Sequence, residues 1–149
     1  MHSLHRTTSS DPDFQKLVIE LDNDLAIRNG DSNTFFAQYN KIDLIQHVVV
    51  AYEDKIPVGC GAMKAYDATA MEIKRMFVPV EQRGKGIAAC VLMELQQWAK
   101  ELGYQKCVLE TGDKMPEAIA LYKKNGFSII PNYGPYAEVE SSVCFEKEI

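Results

Sequence analysis

The run from Val78 to Ala88, Val-Pro-Val-Glu-Gln-Arg-Gly-Lys-Gly-Ile-Ala, constrains this chain more than any other stretch. An apolar segment ends at a proline, a basic turn with two glycines follows, and a long helical pattern begins. The first turn of a helix has N–H groups without intrahelical partners, and the macrodipole adds partial positive charge there. Gly84 and Gly86 lack side chains, so phosphate oxygens can approach these amides closely. Arg83 and Lys85 add full charges, and Ala88 keeps the helix start clear. A tight strand-to-helix connection alone would also use the glycines. The strand, the turn and the basic residues together read as a phosphate site.

The elements around this turn alternate between strands and helices. Ser3 to Thr8 reads as a short strand. Asp11 and Pro12 read as an N-cap and first helical residue, with Phe14, Leu17, Val18, Leu21 and Leu25 at helical spacing and Gly30 as the stop. Residues 32–40 suggest a second short helix. A hairpin follows, turning at Asp54-Lys55. In the strand 70–78, regular alternation puts Ala70, Glu72, Lys74, Met76 and Val78 on one face and Met71, Ile73, Arg75 and Phe77 on the other. The next helix carries Ile87, Val91, Leu95, Trp98 and Leu102 on one stripe, and Gly103 stops it. A short strand at Lys106–Thr111, a helix opening at Pro116 and two closing strands complete an α/β sandwich around a mixed sheet.

A chain of 149 residues fits one domain, 1–149, and its 46% apolar and 25% charged residues suit a globular fold. The net charge of −5 weighs against a nucleic-acid partner. No apolar run reaches the ~20 residues of a membrane span, and residues 1–14 lack the apolar core of a secretory signal. The four cysteines form no CxxC pair and sit in apolar segments. They read as small buried side chains in a reducing cytoplasm. Cys60 has no recognisable histidine partner, and His2, His5 and His47 are too scattered to suggest a metal site.

Gly84-x-Gly86-x-x-Ala89, with Glu110 ending the next strand, also fits a dinucleotide fingerprint. The motif lies past mid-chain behind an antiparallel hairpin, and too little chain follows for a doubly wound sheet. A nucleotide-binding oxidoreductase stays open as an alternative at this point.

Arg83-x-x-Gly86-x-Ala88 resembles the Q/R-x-x-G-x-G/A signature of the GCN5-related N-acetyltransferases (GNAT). Glu72–Val78 is similar to that family's fourth strand, and Ala118–Phe127 to its fourth helix with a tyrosine and a terminal Gly-Phe. The resemblance spans residues 46–149, with the first forty-five in the family's variable helical region. Asn132–Tyr136 and Ser142–Lys147 resemble a subset of small bacterial members with no settled substrate. The resemblance implies a mostly antiparallel sheet with splayed fourth and fifth strands. It implies acetyl-CoA as co-substrate and no metal. The pyrophosphate would lie on the amides of Arg83, Gly84, Lys85, Gly86, Ile87 and Ala88, with the pantetheine along Met76, Phe77 and Val78. Homodimers are common in such folds, and a non-catalytic acyl-CoA-binding module is a further alternative.

Direct transfer to a primary amine of a small molecule or peptide is the implied reaction. An amine with pKa ~10 must lose a proton before attack, so a base is useful. Glu72 is the first candidate, from its alternation with Met76 and Val78; Glu110, across the splay, is the second, and water the third. Tyr122 matches the family's donor to the leaving thiolate. Where many members carry an asparagine before the fourth helix, this sequence has Met115. For the acceptor, Tyr39, Asn40, Arg75, Tyr133 and Tyr136 are candidates, and an arginine there suits a carboxylate-bearing molecule.

Overall fold

The computed structural model describes residues 2–29 and 45–149. Residues 32–40, expected to be helical, and Gly30 lie outside them. The described residues form one sheet in the order β1-β2-β3-β4-β5-β7-β6. The strands are β1 (Ser3–Thr7), β2 (His47–Glu53), β3 (Ile56–Ala65), β4 (Ala70–Phe77), β5 (Lys106–Gly112), β6 (Ser128–Ile130) and β7 (Ser142–Glu148). The helices are α1 (Pro12–Asn29), α2 (Ile87–Glu101) and α3 (Pro116–Lys124). Every neighbouring pair is antiparallel except β4 with β5. This is not a doubly wound parallel sheet.

Local chemistry explains the elements. Asp11 Oδ1 accepts from the N–H groups of Asp13 at 2.8 Å and Phe14 at 3.3 Å, so α1 starts at the expected cap. Asp54 (φ 51°) and Lys55 (φ 68°) form the two-residue β2–β3 turn, with positive φ at both positions as its twist requires. Tyr52 on β2 donates to Asp13 Oδ2 at 2.6 Å and ties the start of α1 to the sheet.

The sheet is covered on both faces, which is why β2 reads as an unbroken apolar run. Val48 and Val50 pack with Cys60, Ala62 and Phe77 under Phe14, Leu17, Val18 and Leu21 of α1. Val49 and Ala51 turn to the other face, beneath Ile87, Val91 and Leu95 of α2 and Tyr122 of α3. Two expectations fail at the margins. Leu102 follows the last turn of α2 and is 45% exposed, because the buried stripe passes through Leu92 and Ala99 instead. Cys90 is exposed, whereas Cys60, Cys107 and Cys144 are buried.

The alternation expected for β4 fails at one residue. Arg75 has φ 59°, and the β3–β4 register shifts between Cys60, opposite Phe77, and Ala62, opposite Lys74. Two residues, Arg75 and Met76, thus oppose the single Gly61, which is a β-bulge. Past it the faces exchange. Met76 and Val78 join Met71 and Ile73 on the α2 side, while Phe77 packs under α1. Glu72 therefore does not share a face with Met76 and Val78. Arg75 reaches α1 instead of following Met71 and Ile73.

Gly61 makes this packing feasible. A Cβ there would lie 2.5 Å from Met76 Sδ and 2.9 Å from both Leu95 Cδ1 and Val91 Cγ1. The methionine can yield but the branched side chains of α2 cannot. Gly61→Ala is expected to destabilise the fold by about 1–3 kcal/mol, the usual range for overpacking, read as a lower urea midpoint at unchanged slope.

Candidate active site

The parallel ladder between β4 and β5 ends at Ile73 opposite Leu109. Beyond it Lys74–Phe77 and Glu110–Gly112 diverge, so the backbone of β4 is unpaired on that side, as the expected splay requires. Two cavities meet at the gap. One, of about 340 Å³, runs from Met76–Val78 past Gly84 and Gly86–Ala89 to Leu121 and Asn125 of α3. The other, of about 100 Å³, lies among Leu25, Lys74, Arg75, Glu110 and Thr111. Leu21, Met76, Met115, Ala118 and Tyr122 line both.

The larger cavity fits a phosphate-bearing cofactor. Gly84 and Gly86 have φ of 82° and 80°, and a Cβ at either would meet nothing within 4 Å. Glycine is needed here for its backbone conformation, and the approach is open. Gly86 caps α2 without a side-chain hydrogen bond, so the first amides of the helix keep their donors for a ligand. Arg83, Gly84, Gly86, Ile87 and Ala88 line the groove together with Met76, Phe77 and Val78. Lys85 is the exception. Its ammonium donates to Gln82 Oε1 at 3.0 Å and lies 3.9 Å from Glu53, outside the groove lining.

Several groove residues are not visible from the sequence pattern. Arg83 Nε donates to the Val78 carbonyl at 2.9 Å, and its Nη2 lies 4.0 Å from Asp24 on α1. Arg28, one turn on from Asp24, bonds it at 3.2 Å, pairs with Glu117 and lies 3.1 Å from Met115 Sδ. The position of the family asparagine is therefore backed by an arginine from α1. The Asp24–Arg28 spacing of i, i+4 was the available signal, but it marks an ordinary helix pair as readily.

The two carboxylates differ in setting. Glu72 is buried, accepts from the Tyr133 hydroxyl at 2.8 Å and has Lys74 Nζ at 3.7 Å. It lines neither cavity. Glu110 does line the smaller one. Burial pushes its carboxyl up to about 7, against the Ser142 hydroxyl donating at 2.7 Å and the charge of Lys74. Tyr122 is buried beside Phe127 and Phe145. Burial, with the charge of Glu110, raises its phenol well above the ordinary value, so it stays a protonated donor.

The acceptor candidates disperse. Tyr39 and Asn40 lie outside the described residues. Tyr133 is anchored to Glu72 and stacks edge-on with Tyr66 at 4.9 Å. Tyr136 is buried against Cys144 and is no rim residue. The 3-10 turn Gly134–Tyr136 is braced by Asn132 Nδ2 donating to the Val139 carbonyl at 2.9 Å. Arg75 lines the smaller cavity. Burial also pushes the Cys60 thiol up to about 12, so it serves as a donor to the Arg75 carbonyl at 3.5 Å and not as a nucleophile.

The family model described as an acetyltransferase (GNAT) domain matches residues 45–129. The chain belongs to the GNAT acetyltransferase family. An IAA acetyltransferase of Azospirillum brasilense is 37% identical over 103 residues, covering 68% of this chain and 67% of that protein. The N-acetyltransferase YsnE of Bacillus subtilis is 34% identical over 101 residues, 66% of this chain and 67% of its own. Among solved structures, a chain from Klebsiella pneumoniae designated an acyl-CoA N-acyltransferase superposes with a TM-score of 0.82 at 26% identity, covering 99% of this chain and 97% of that one. PaiA N-acetyltransferase from Thermoplasma acidophilum, solved with coenzyme A, shares the fold at a TM-score of 0.74 and 18% identity, over 100% and 99% of the two chains. Acetyl-CoA-dependent N-acetyl transfer, not oxidoreduction, is the chemistry of this GNAT domain.

A glutamate at position 86 would set bulk and negative charge at the start of α2, on the lining of the larger cavity. Gly86→Glu is expected to raise the acetyl-CoA Kd at least about tenfold, roughly 1.4 kcal/mol, by calorimetry. Unchanged affinity would remove the pyrophosphate from this turn.

Proposed function

We propose that the chain is one GNAT domain, 1–149, that moves an acetyl group directly to a primary amine held in the smaller cavity, with Glu110 as base and Tyr122 as acid. The observation that carries this reading is the meeting of the two cavities at Tyr122, with Glu110 on the far side of the same gap. Acetyl-CoA supplies the activated thioester. The amides after Arg83 hold its diphosphate, and the unpaired edge of β4 at Met76 and Val78 receives its amide groups as an added strand would. The Met76 N–H polarises the acyl carbonyl.

Glu110 takes the proton from the acceptor ammonium. The freed amine attacks, the C–N bond forms as the C–S bond breaks, Tyr122 donates its proton to the departing sulfur, and the second proton lost by the new amide nitrogen restores the Tyr122 phenol. A carboxyl at about 7 makes that first proton transfer roughly 3 kcal/mol less uphill than an ordinary carboxylate would. Glu72, the first candidate on sequence grounds, is assigned to hold Tyr133 and Lys74 instead. No helix among the described residues is long and apolar enough to cross a membrane. The free thiols suit a reducing cytoplasm.

The base is needed deprotonated, so kcat/KM is expected to rise with pH and level off above about 7. Glu110→Gln is expected to abolish that limb and lower kcat by about 10²–10⁴. Retention of the limb in Glu110→Gln and its loss in Glu72→Gln would return the base role to Glu72. Tyr122→Phe is expected to cut kcat with little change in acetyl-CoA affinity, and equal turnover would remove its acid role.

A further inference from the structure

The smaller cavity contains a cation that the proton transfers above do not use. The Arg75 side chain is only 2% exposed. Its Nη2 bonds Asp22 Oδ1 at 2.6 Å, while Nε and Nη1 are buried with no hydrogen-bond partner among the described residues. Buried donors on a charged group are costly to leave unmade. The same residue holds a left-handed backbone, φ 59°, which a side chain rarely adopts. The backbone conformation belongs to the bulge, but the unmade donors next to the Met76 amide at the gap are better explained by a ligand than by stability.

The charges around the cavity narrow the ligand. Arg75 pairs with Asp22, and Lys74 lies beside Glu72, which leaves the Glu110 carboxylate as the uncompensated charge on the cavity. An added lone anion would meet no net positive charge. A zwitterion suits the site because its poles are met separately. Arg75 lines the cavity with its guanidinium enclosed and its Nη2 held on the more exposed Asp22, and Glu110 lines the cavity across the gap. A volume of about 100 Å³ suits a small molecule whose ammonium and acid group are a few bonds apart. In a peptide the α-carboxylate next to the terminal amine is tied up in the amide bond.

We propose that the acceptor is a free amino acid, its ammonium presented to Glu110 and its carboxylate held by Arg75 in competition with Asp22. This rests on the acetyl-transfer reading above and names its substrate class. Asp22 is the part that yields, since its side chain is 57% exposed and Arg75 is enclosed. Guanidinium suits this role because it stays charged when buried and its planar donors match a carboxylate.

The test uses the intact chain, acetyl-CoA and a thiol-release assay. The acceptors are the common amino acids, each beside its carboxamide and its decarboxylated amine. At least one acid is expected to exceed both partners in kcat/KM by about 10- to 100-fold, the worth of a charge-assisted hydrogen bond. In Arg75→Gln that ratio is expected to collapse toward one, mainly through KM for the acid, and Arg75→Lys should restore part of it. Calorimetric affinity for acetyl-CoA reports folding in each variant. If Arg75→Gln does not fold, Asp22→Asn on the surface of α1 gives the answer, because removing the competing carboxylate should raise the acid-to-amide ratio. A preference for amides, peptides or simple amines, an unchanged ratio in Arg75→Gln, or a fall in Asp22→Asn would overturn the proposal. In each of those cases acetyl-CoA binding and turnover would leave the transferase reading standing. Failure of the wild-type protein to bind acetyl-CoA would instead sink that reading and this one with it.

Discussion

The ladder between β4 and β5 makes its last pair at Ile73 and Leu109, and the bulge at Arg75 follows immediately. Almost everything functional in the molecule depends on that interruption. It frees one edge of β4, opens the gap where the two cavities meet, and exchanges the faces of the residues that follow. The left-handed conformation costs roughly 1–2 kcal/mol. Burying Phe77 under α1 and packing Met76 under α2 offset it, at about 1.5–3 kcal/mol for a fully buried side chain. The Cys60 thiol donating to the bulged carbonyl and the Arg75–Asp22 pair hold the conformation in place.

The elements were legible from the sequence because their signals are local. Asp11 caps α1, Asp54-Lys55 turns the hairpin, and the glycines at 84 and 86 adopt the conformations only glycine takes freely. The bulge was less legible. Regular alternation over 70–78 predicts one face for Glu72, Met76 and Val78, yet Lys74-Arg75-Met76-Phe77 places two charged residues before two apolar ones. That doublet is the trace of the broken period. Tyr136 and Cys90 were misjudged for a similar reason. Burial at a loop or helix surface is decided by what packs on it from elsewhere in the chain.

The two carboxylates show where sequence reasoning reaches its end. Both stand on strands at the splay, and residue type separates them no further. Their roles diverge through neighbours contributed by distant segments. Tyr133, sixty-one positions along the chain, donates to Glu72, whereas Glu110 faces the gap with the Ser142 hydroxyl and the charge of Lys74 too weak to offset its burial. Desolvation that outweighs these partners is what raises the Glu110 carboxyl toward neutrality.

Helix α1 is fastened at its start, where Tyr52 holds Asp13, and its later turns reach across both cavities. Leu21 lines the two of them, Asp22 meets Arg75, and Asp24 stands beside Arg83. One helix thus touches the larger groove and the smaller cavity at once. Any ligand that displaces it changes the shape the other ligand meets, and thermodynamic linkage makes that influence equal in both directions. A single helix therefore couples whatever binds in the groove to whatever binds in the smaller cavity.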